Sequence, residues 1–473
     1  MTASEEILYQ KRIPIYPRSV KGRFRKLKWG ILALAYGVYF LLPWIPWDRT
    51  IGPDQAVSFE LATRRFYLFD LVVHPQDIFW LAGILVIAAI LLFMVTGIAG
   101  RVFCGYFCFQ TLWTDVYVLI ERLVQGERPA RIRLDKAPWG GEKLAKKTLT
   151  HLLWLAVGFW TGLTFALYWA DAPHLVVQFF TGTAPFPAYA TTLFLMVTTY
   201  VMAGLAREQV CTYMCPYARF QSAMFDRDTL IVAYDEKRGE GSAGRHKAAK
   251  GFQGREERMK QGAGDCIDCG YCVQVCPTGI DIRNGLQYQC ISCALCVDAC
   301  NNIMDTLGWP RGLIRYTSDN EQHGKKTRIV KPKTLGYGFV LLVAIGLLSF
   351  SIATRTPLDM EVYQVRNPLY VLLSDGSIQN SYELKLNNKS ERTLDLKISI
   401  FGLQNAKLEM GGFREIHLAP EQSLRLMARV RLHPDAQQDK PRTFHFKVTA
   451  EHHDMAPLTQ PVPFYMPGRE ASQ

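Results

Sequence analysis

All twelve cysteines of this 473-residue chain lie between Cys104 and Cys300, in two spacing patterns. Eight form a doubled run: Cys266, Cys269, Cys272 and Cys276, then Cys290, Cys293, Cys296 and Cys300. The steps within each half are short enough for one turning backbone to wrap a compact metal centre and aim its amides at the sulfurs. The chemistry indicated is soft-metal ligation by thiolates, as iron–sulfur clusters or as structural zinc, because CxxC pairs serve both. The other four form two CxxxC pairs, Cys104/Cys108 and Cys211/Cys215, each just beyond an apolar run. The offset between the pairs is 107 residues at both positions. A secreted disulfide framework spreads its cysteines differently, and such clustering speaks for metal binding.

Cysteines at i and i+4 share a helix face, so the two pairs are expected to present four thiolates together at the membrane surface. Soft thiolates select Cu(I), zinc or cluster iron, and Met214 adds a thioether. A catalytic dithiol, or four small reduced interfacial residues, are the alternatives. Aromatic and Gln residues follow both pairs (Phe109, Gln110; Tyr217, Phe220, Gln221). The pattern reads as a duplicated unit of two spans and a cysteine elbow, and parallel repeats of this kind build one site at their interface.

The eight-cysteine run resembles bacterial-type two-cluster ferredoxins, in which each half gives three ligands to one cluster and its fourth to the other. The resemblance implies one 4Fe–4S cluster on Cys266, Cys269, Cys272 and Cys300, and a second on Cys290, Cys293, Cys296 and Cys276. Pro277 follows the first run, but Asn301 stands at the matching place in the second. Asn is expected to supply the turn, with altered geometry or potential rather than a lost cluster.

Five stretches are long and apolar enough to carry these sites in a bilayer, roughly 29–47, 78–99, 148–170, 189–206 and 335–353. Trp and Tyr cluster near several ends (Trp44, Trp47, Trp80, Trp169, Tyr189), as an aromatic belt does. The first run lacks a small-residue cleavage site and is read as an anchor, not a signal peptide. Lys and Arg alternate between the connecting segments: eight before the first span, three in the next segment, nine in 100–147, none in 171–188 and nineteen in 207–334. The N-terminus and both long internal loops are therefore expected in the cytoplasm, with the tail outside. The net charge of +12 is mostly this topology signal. It also lets the basic segment 18–28 lie against anionic lipid. No nucleic-acid motif accompanies the charge, so nucleic acid is not an expected partner.

Residues 236–264 are Gly-, Lys- and Glu-rich and read as a flexible tether or partly helical arm. His74 and His174 sit beside spans on the outer side, within reach of a metal ion or quinone or as plain interfacial residues. His151, inside a span, calls for an internal partner. From about Pro357 the pattern changes to period two, as in Leu394–Ile400 and Phe444–Val448. About seven short strands over this tail, without cysteine, suggest an immunoglobulin-like β-sandwich that docks another extracytoplasmic protein.

The fold class is thus an α-helical membrane protein of five spans, with an inserted two-cluster ferredoxin segment (α+β) and a C-terminal immunoglobulin-like β-sandwich. The division is 1–28 basic N-terminus, 29–235 membrane domain with both elbows, 236–264 linker, 265–310 ferredoxin-type domain, 311–334 linker, 335–353 fifth span and 354–473 outer domain. This order of parts resembles the FixG/RdxA/CcoG family, accessory proteins of cbb-type cytochrome oxidase assembly. The resemblance implies a bacterial inner-membrane protein that reduces Cu(II) to Cu(I) for the oxidase. Cys104, Cys108, Cys211 and Cys215 would be its catalytic and metal-handling elbow, and the eight ferredoxin cysteines its electron relay. Its partners would be lipid, oxidase assembly factors or copper transporters and chaperones, and an electron donor, since the chain carries no flavin or nicotinamide fingerprint. The family elbow reads CxxxCP, which Cys215-Pro216 keeps and Cys108-Phe109 does not. Two other functions fit the same parts: a quinol-linked membrane ferredoxin relay of the NapH type, or a non-enzymatic assembly scaffold.

Overall fold

A computed structural model of the chain describes residues 14–49, 52–247, 254–390, 392–411, 415–433, 442–451 and 455–466. The first residues of the basic N-terminus, with Lys11 and Arg12, and residues 248–253 of the linker lie outside them. The chain divides into two compact units, Met1–Trp47 with Gln55–Leu348, and Asp48–Asp54 with Ser349–Gln473.

The first unit begins with α1 (Arg23–Leu41), followed by a small antiparallel sheet of β1 (Val57–Glu60), β2 (Arg65–Leu68) and β3 (Leu71–Val73). Next come α2 (Ile78–Ala99), α3 (Val102–Tyr106), α4 (Phe109–Gln125), α5 (Arg128–Lys136), α6 (Gly141–Leu167), α7 (Ala172–Thr181) and α8 (Phe186–Thr199). Two π-helical turns, Tyr200–Ala206 and Val210–Met214, lead into α9 (Pro216–Ala223). The α6–α8 contact is close: a Cβ on Gly162 would stand 2.5 Å from the Thr192 carbonyl oxygen. Small residues allow helices to approach in this way where lipid supplies no hydrophobic drive between them.

Six helices among the described residues are long and apolar enough to cross a membrane, one more than the five stretches read from the sequence. The additional one, Val102–Gln125, comprises α3 and α4. Its Asp115 and Glu121 mask its apolar face in the sequence, and both are satisfied by cations from other elements. Asp115 pairs with Lys28 at 2.9 Å and Arg25 at 3.3 Å, and Glu121 pairs with Arg131 at 3.1 Å and with Arg207.

The cysteine-rich segment is framed by β4 (Ile231–Tyr234) and β5 (Ile314–Thr317), which pair antiparallel. Between them lie α10 (Glu236–Glu240), α11 (Arg255–Lys260), α12 (Tyr271–Gln274) and α13 (Leu295–Leu307); α14 (Asp319–Gln322) and the long α15 (Pro332–Ala353) follow. The described part of 236–264 is a packed element rather than a loose tether. Arg258 is buried and donates to the carbonyls of Gly264 and Cys266, holding the chain at the mouth of the first cysteine run.

The basic arm before α1 makes contacts that the sequence pattern did not indicate. Residues 15–25 strap the cysteine segment to the membrane helices, while the side chains of Arg18, Lys21, Arg23 and Lys26 stay exposed. The Arg18 amide donates to the Gln274 carbonyl, Tyr271 Oη to the Ser19 carbonyl, and the Arg25 amide to Asp298. Ser19 Oγ binds Glu127, and Lys28 is 1% exposed. Of these cations Arg25 and Lys28 pair with Asp115, which offsets the cost of burying Lys28.

The second unit is a sandwich of two antiparallel sheets. One has the order β10 (Lys407–Glu409), β12 (Ser423–Leu432), β8 (Ile378–Asn388), β6 (Leu358–Gln364), with β7 (Val371–Leu372) also on β8. The other runs β11 (Ile416–Leu418), β9 (Leu394–Phe401), β13 (Arg442–Glu451), β14 (Leu458–Phe464). Alternate residues of β8 face inward, so Tyr382, Leu384 and Leu386 meet Phe444 and Phe446 of the opposite sheet. Nine strands are described rather than about seven, since β7, β10 and β11 are too short to show a period in sequence. Packing of this apolar interior replaces the missing inter-sheet disulfide.

Candidate functional site

The two halves of the eight-cysteine run fold alike. Asp268 and Gly270 take left-handed backbone conformations in the first, and Ser292 and Ala294 take them at the corresponding places in the second. Each left-handed residue turns the chain back round the same centre, at a cost that an L side chain other than Asn or Asp seldom accepts. A short helix then leaves each half, capped by Gly270 or Ala294.

Two separate cavities result. One is lined by Cys266, Cys269, Cys272 and Cys300, with Ile303 and Leu313 behind them. The other is lined by Cys276, Cys290, Cys293 and Cys296, with Cys272 at its border. Each cavity thus gathers three sulfurs from one half and the fourth from the other. Burial pushes the thiols of Cys272, Cys300 and Cys290 up to about 12, and raises those of Cys293 and Cys296 as well. A thiolate at such a place needs a bound cation to offset its desolvation. Four apolar-backed thiols around each cavity therefore fit a 4Fe–4S cluster. Among the described residues no three His, Cys, Asp or Glu side chains gather round one point closely enough to hold a single ion.

Asn301 behaves differently from the expectation of a turn. Pro277 follows a helix of only four residues, α12, whereas α13 runs on past Cys300 and Asn301 to Leu307. Asn301 is a helical residue whose side-chain oxygen accepts from the Gly312 amide at 3.1 Å. Without a proline ring the i→i−4 ladder simply continues.

The elbows also share a local geometry, though not that of two cysteines on one helix face. Cys104 sits inside α3, and Cys108 is extended and caps α4. Cys211 sits inside a π turn, and Cys215 is extended and caps α9. Phe109 and Pro216 both occupy the first position of the helix that follows, where proline is favoured but not required. The structure brings the two elbows together: Arg101 and Cys104 of the first both bond Gln221, six residues past Cys215, and the Phe103 and Tyr217 rings lie 6.4 Å apart. Burial pushes the Cys211 thiol up to about 12. Met214 is exposed.

The first elbow lies against the second cavity. A Cβ on Gly105 would stand 2.6 Å from the Ile291 carbonyl oxygen and 3.0 Å from Cys293 Cα. Tyr106 Oη donates to the Cys293 carbonyl at 3.0 Å, and Cys104 and Cys293 belong to one buried cluster. Gly105, Tyr106 and the strap were not singled out from the sequence; the glycine inside an otherwise bulky FCGYF stretch was the available signal.

The histidines divide. His74 is buried and opens a short turn, its amide bound by Asp77. His174 is exposed beside Asp171. His151 has the internal partner expected of it, with Tyr200 Oη 3.0 Å from Nδ1.

Comparison with known proteins agrees with this layout. Residues 206–319 match a family model described as a 4Fe-4S dicluster domain, and residues 348–467 match one described as an IG-like fold at the C-terminal of FixG. The chain is 45% identical to protein RdxB of Cereibacter sphaeroides over 422 residues, 86% of this chain and 85% of that protein. It is 42% identical to nitrogen fixation protein FixG of Rhizobium meliloti over 439 residues, covering 86% and 82%. Protein RdxA of Cereibacter sphaeroides is 44% identical over 408 residues, covering 84% of each chain.

Proposed function

The chain belongs to the FixG/RdxA family of membrane iron–sulfur redox proteins, and on that premise we propose that it reduces Cu(II) to Cu(I) for assembly of a cbb-type cytochrome oxidase. Cys266, Cys269, Cys272 and Cys300 hold one cluster in this reading, and Cys276, Cys290, Cys293 and Cys296 the other. Reduction of one Cu(II) consumes one electron, which the clusters supply when bound and a partner donor restores. Cys104, Cys108, Cys211 and Cys215 offer the thiols that capture the substrate ion, two being enough for Cu(I), and thiolate preference for Cu(I) favours the reduced product. Tyr106 and Gly105 fix the elbow against Cys293, and burial of Cys104 keeps water from that side of the thiol.

The observation that carries this reading is the direct packing of the first elbow on the backbone of Cys293. A soft-metal ligand set with no redox partner would not need it.

The Lys/Arg alternation supports a bacterial inner-membrane protein with the N-terminus and the ferredoxin segment in the cytoplasm and the sandwich in the periplasm. On this topology both ends of Val102–Gln125 lie on the cytoplasmic side. Tyr106 near its start binds Cys293, and Glu127 just past its end binds Ser19, which is itself held by Tyr271 of the same cysteine segment.

The test is anaerobic: reduce the purified protein, add stoichiometric Cu(II), and follow cluster absorbance with a Cu(I)-specific chromophore. One Cu(I) formed per electron withdrawn, lost in the double variant Cys211→Ser/Cys215→Ser, is the expected result. Clusters that stay reduced with copper but reoxidise with a quinone analogue would replace this reading with the quinol-linked relay.

A further inference from the structure

Each elbow is preceded by an arginine, Arg101 before Cys104 and Arg207 before Cys211, and the two are used differently. Arg207 is paired with the carboxylate of Glu121 and lies over the Trp154 ring. Arg101 is 2% exposed, and its partners are neutral. Its Nε donates to Gln221 Oε1 at 3.2 Å, one terminal nitrogen donates to the Tyr288 carbonyl, and the other reaches Cys104 Sγ at 3.9 Å. Among the described residues no carboxylate forms an ion pair with it. Gln221, fully buried, also approaches Cys104 Sγ at 3.2 Å, so the guanidinium, the amide and the thiol form one closed group.

This group touches the second cavity through Tyr288, two residues before Cys290. Two other cations near the cysteine cavities are offset, and a third, Arg258, donates to the Cys266 carbonyl of the first cavity. Arg283, beside Cys272 in the first cavity, is clamped by Asp281 and Asp268. Lys28, buried on the strap, is paired with Asp115 at 2.9 Å. A fixed positive charge next to a cluster favours its more negative, reduced form, since net charge and hydrogen bonds near the sulfurs set the potential.

We propose that Arg101 is a positioning residue whose unneutralised charge raises the reduction potential of the cluster at Cys276, Cys290, Cys293 and Cys296. This rests on the reading of the two quartets as cluster ligands.

The experiment is a redox titration of the full chain in detergent without copper, followed by EPR, for wild type, Arg101→Lys, Arg101→Gln and Gln221→Glu. In Arg101→Gln one midpoint falls while the other stays, lowering the reduced-to-oxidised ratio of that cluster about tenfold at fixed potential, or about 59 mV for a one-electron couple. Arg101→Lys keeps the charge and most of the midpoint. Gln221→Glu places a carboxylate against the intact guanidinium and moves the same midpoint in the same direction. Midpoints unmoved in Arg101→Gln, or moved equally for both clusters, overturn the proposal, as does an Arg101→Lys midpoint as low as that of Arg101→Gln. If Arg101→Gln loads less iron than wild type, an unmoved midpoint in Gln221→Glu overturns it instead. Iron and sulfide content of the wild type tests the cluster reading separately: a chain without iron overturns that reading, whereas a loaded chain with unmoved midpoints overturns only the role of Arg101.

Discussion

The two halves of the cysteine run begin as copies and end as different surroundings. Both turn through left-handed residues at matching positions, Asp268 and Gly270 against Ser292 and Ala294. The first then stops at Pro277 and leaves Cys269 exposed, with its neighbouring arginine neutralised by two aspartates. The second continues as α13 and buries Cys293 beneath an elbow and an arginine without a carboxylate partner. Ligand spacing is thus a local property that can be duplicated, whereas exposure, charge and neighbours are assigned by what packs on each copy.

The sharpest way to break this comparison is to remove one ligand from each half. Cys269→Ser and Cys293→Ser are each expected to lose about half of the bound iron, four of eight atoms, and to abolish copper reduction while the membrane helices stay folded. Iron analysis with circular dichroism checks this, and normal reduction in Cys269→Ser would exclude the first cluster from the route. Exchanging the residues after the fourth cysteines comes next. Asn301→Pro breaks the ladder of α13 and the bond to Gly312, and should cost about 3 kcal/mol or more. Pro277→Asn should cost about 1 kcal/mol or less, both measured by denaturant unfolding of the loaded protein. A difference near zero would mean that the longer helix contributes nothing.

Gly105→Val forces the elbow away from Ile291 and Cys293. Overpacking of this kind costs about 1–3 kcal/mol. Iron content should stay at the wild-type level while copper reduction slows, a split visible by comparing cluster absorbance with chromophore formation. The smallest effect is expected for Phe109→Pro. Cys108 is already extended and Phe109 is 76% exposed, so stability should change by no more than about 0.5 kcal/mol. A large loss there would show that the elbows are not equivalent in geometry.

Much of this was legible from residue types alone. The apolar run Ile78–Ala99, without a charge, could form little else than a membrane helix. Period two in the tail gave the inward faces of β8, β9 and β12, whose short neighbours left no period to read. Val102–Gln125 was hidden because Asp115 and Glu121 count against an apolar run, and only their partners Lys28, Arg131 and Arg207 make them tolerable there. The elbows were visible as a 107-residue repeat, but helical spacing suggested a shared face, and the chain instead breaks at the second cysteine of each pair.

By itself the sequence determined the doubled cysteine run, the membrane helices and the outer sandwich, because spacing, length and alternation are properties of neighbouring residues; the division of the thiols between two centres came from the ferredoxin resemblance. Only the tertiary structure decided which quartet meets the elbow, that the basic arm closes over the cysteine segment, and that Arg101 rather than Arg207 keeps its charge unpaired. Those outcomes depend on contacts between residues more than one hundred positions apart, Arg18 with Gln274 and Arg101 with Tyr288 among them. No local pattern encodes which distant partner a buried charge will find.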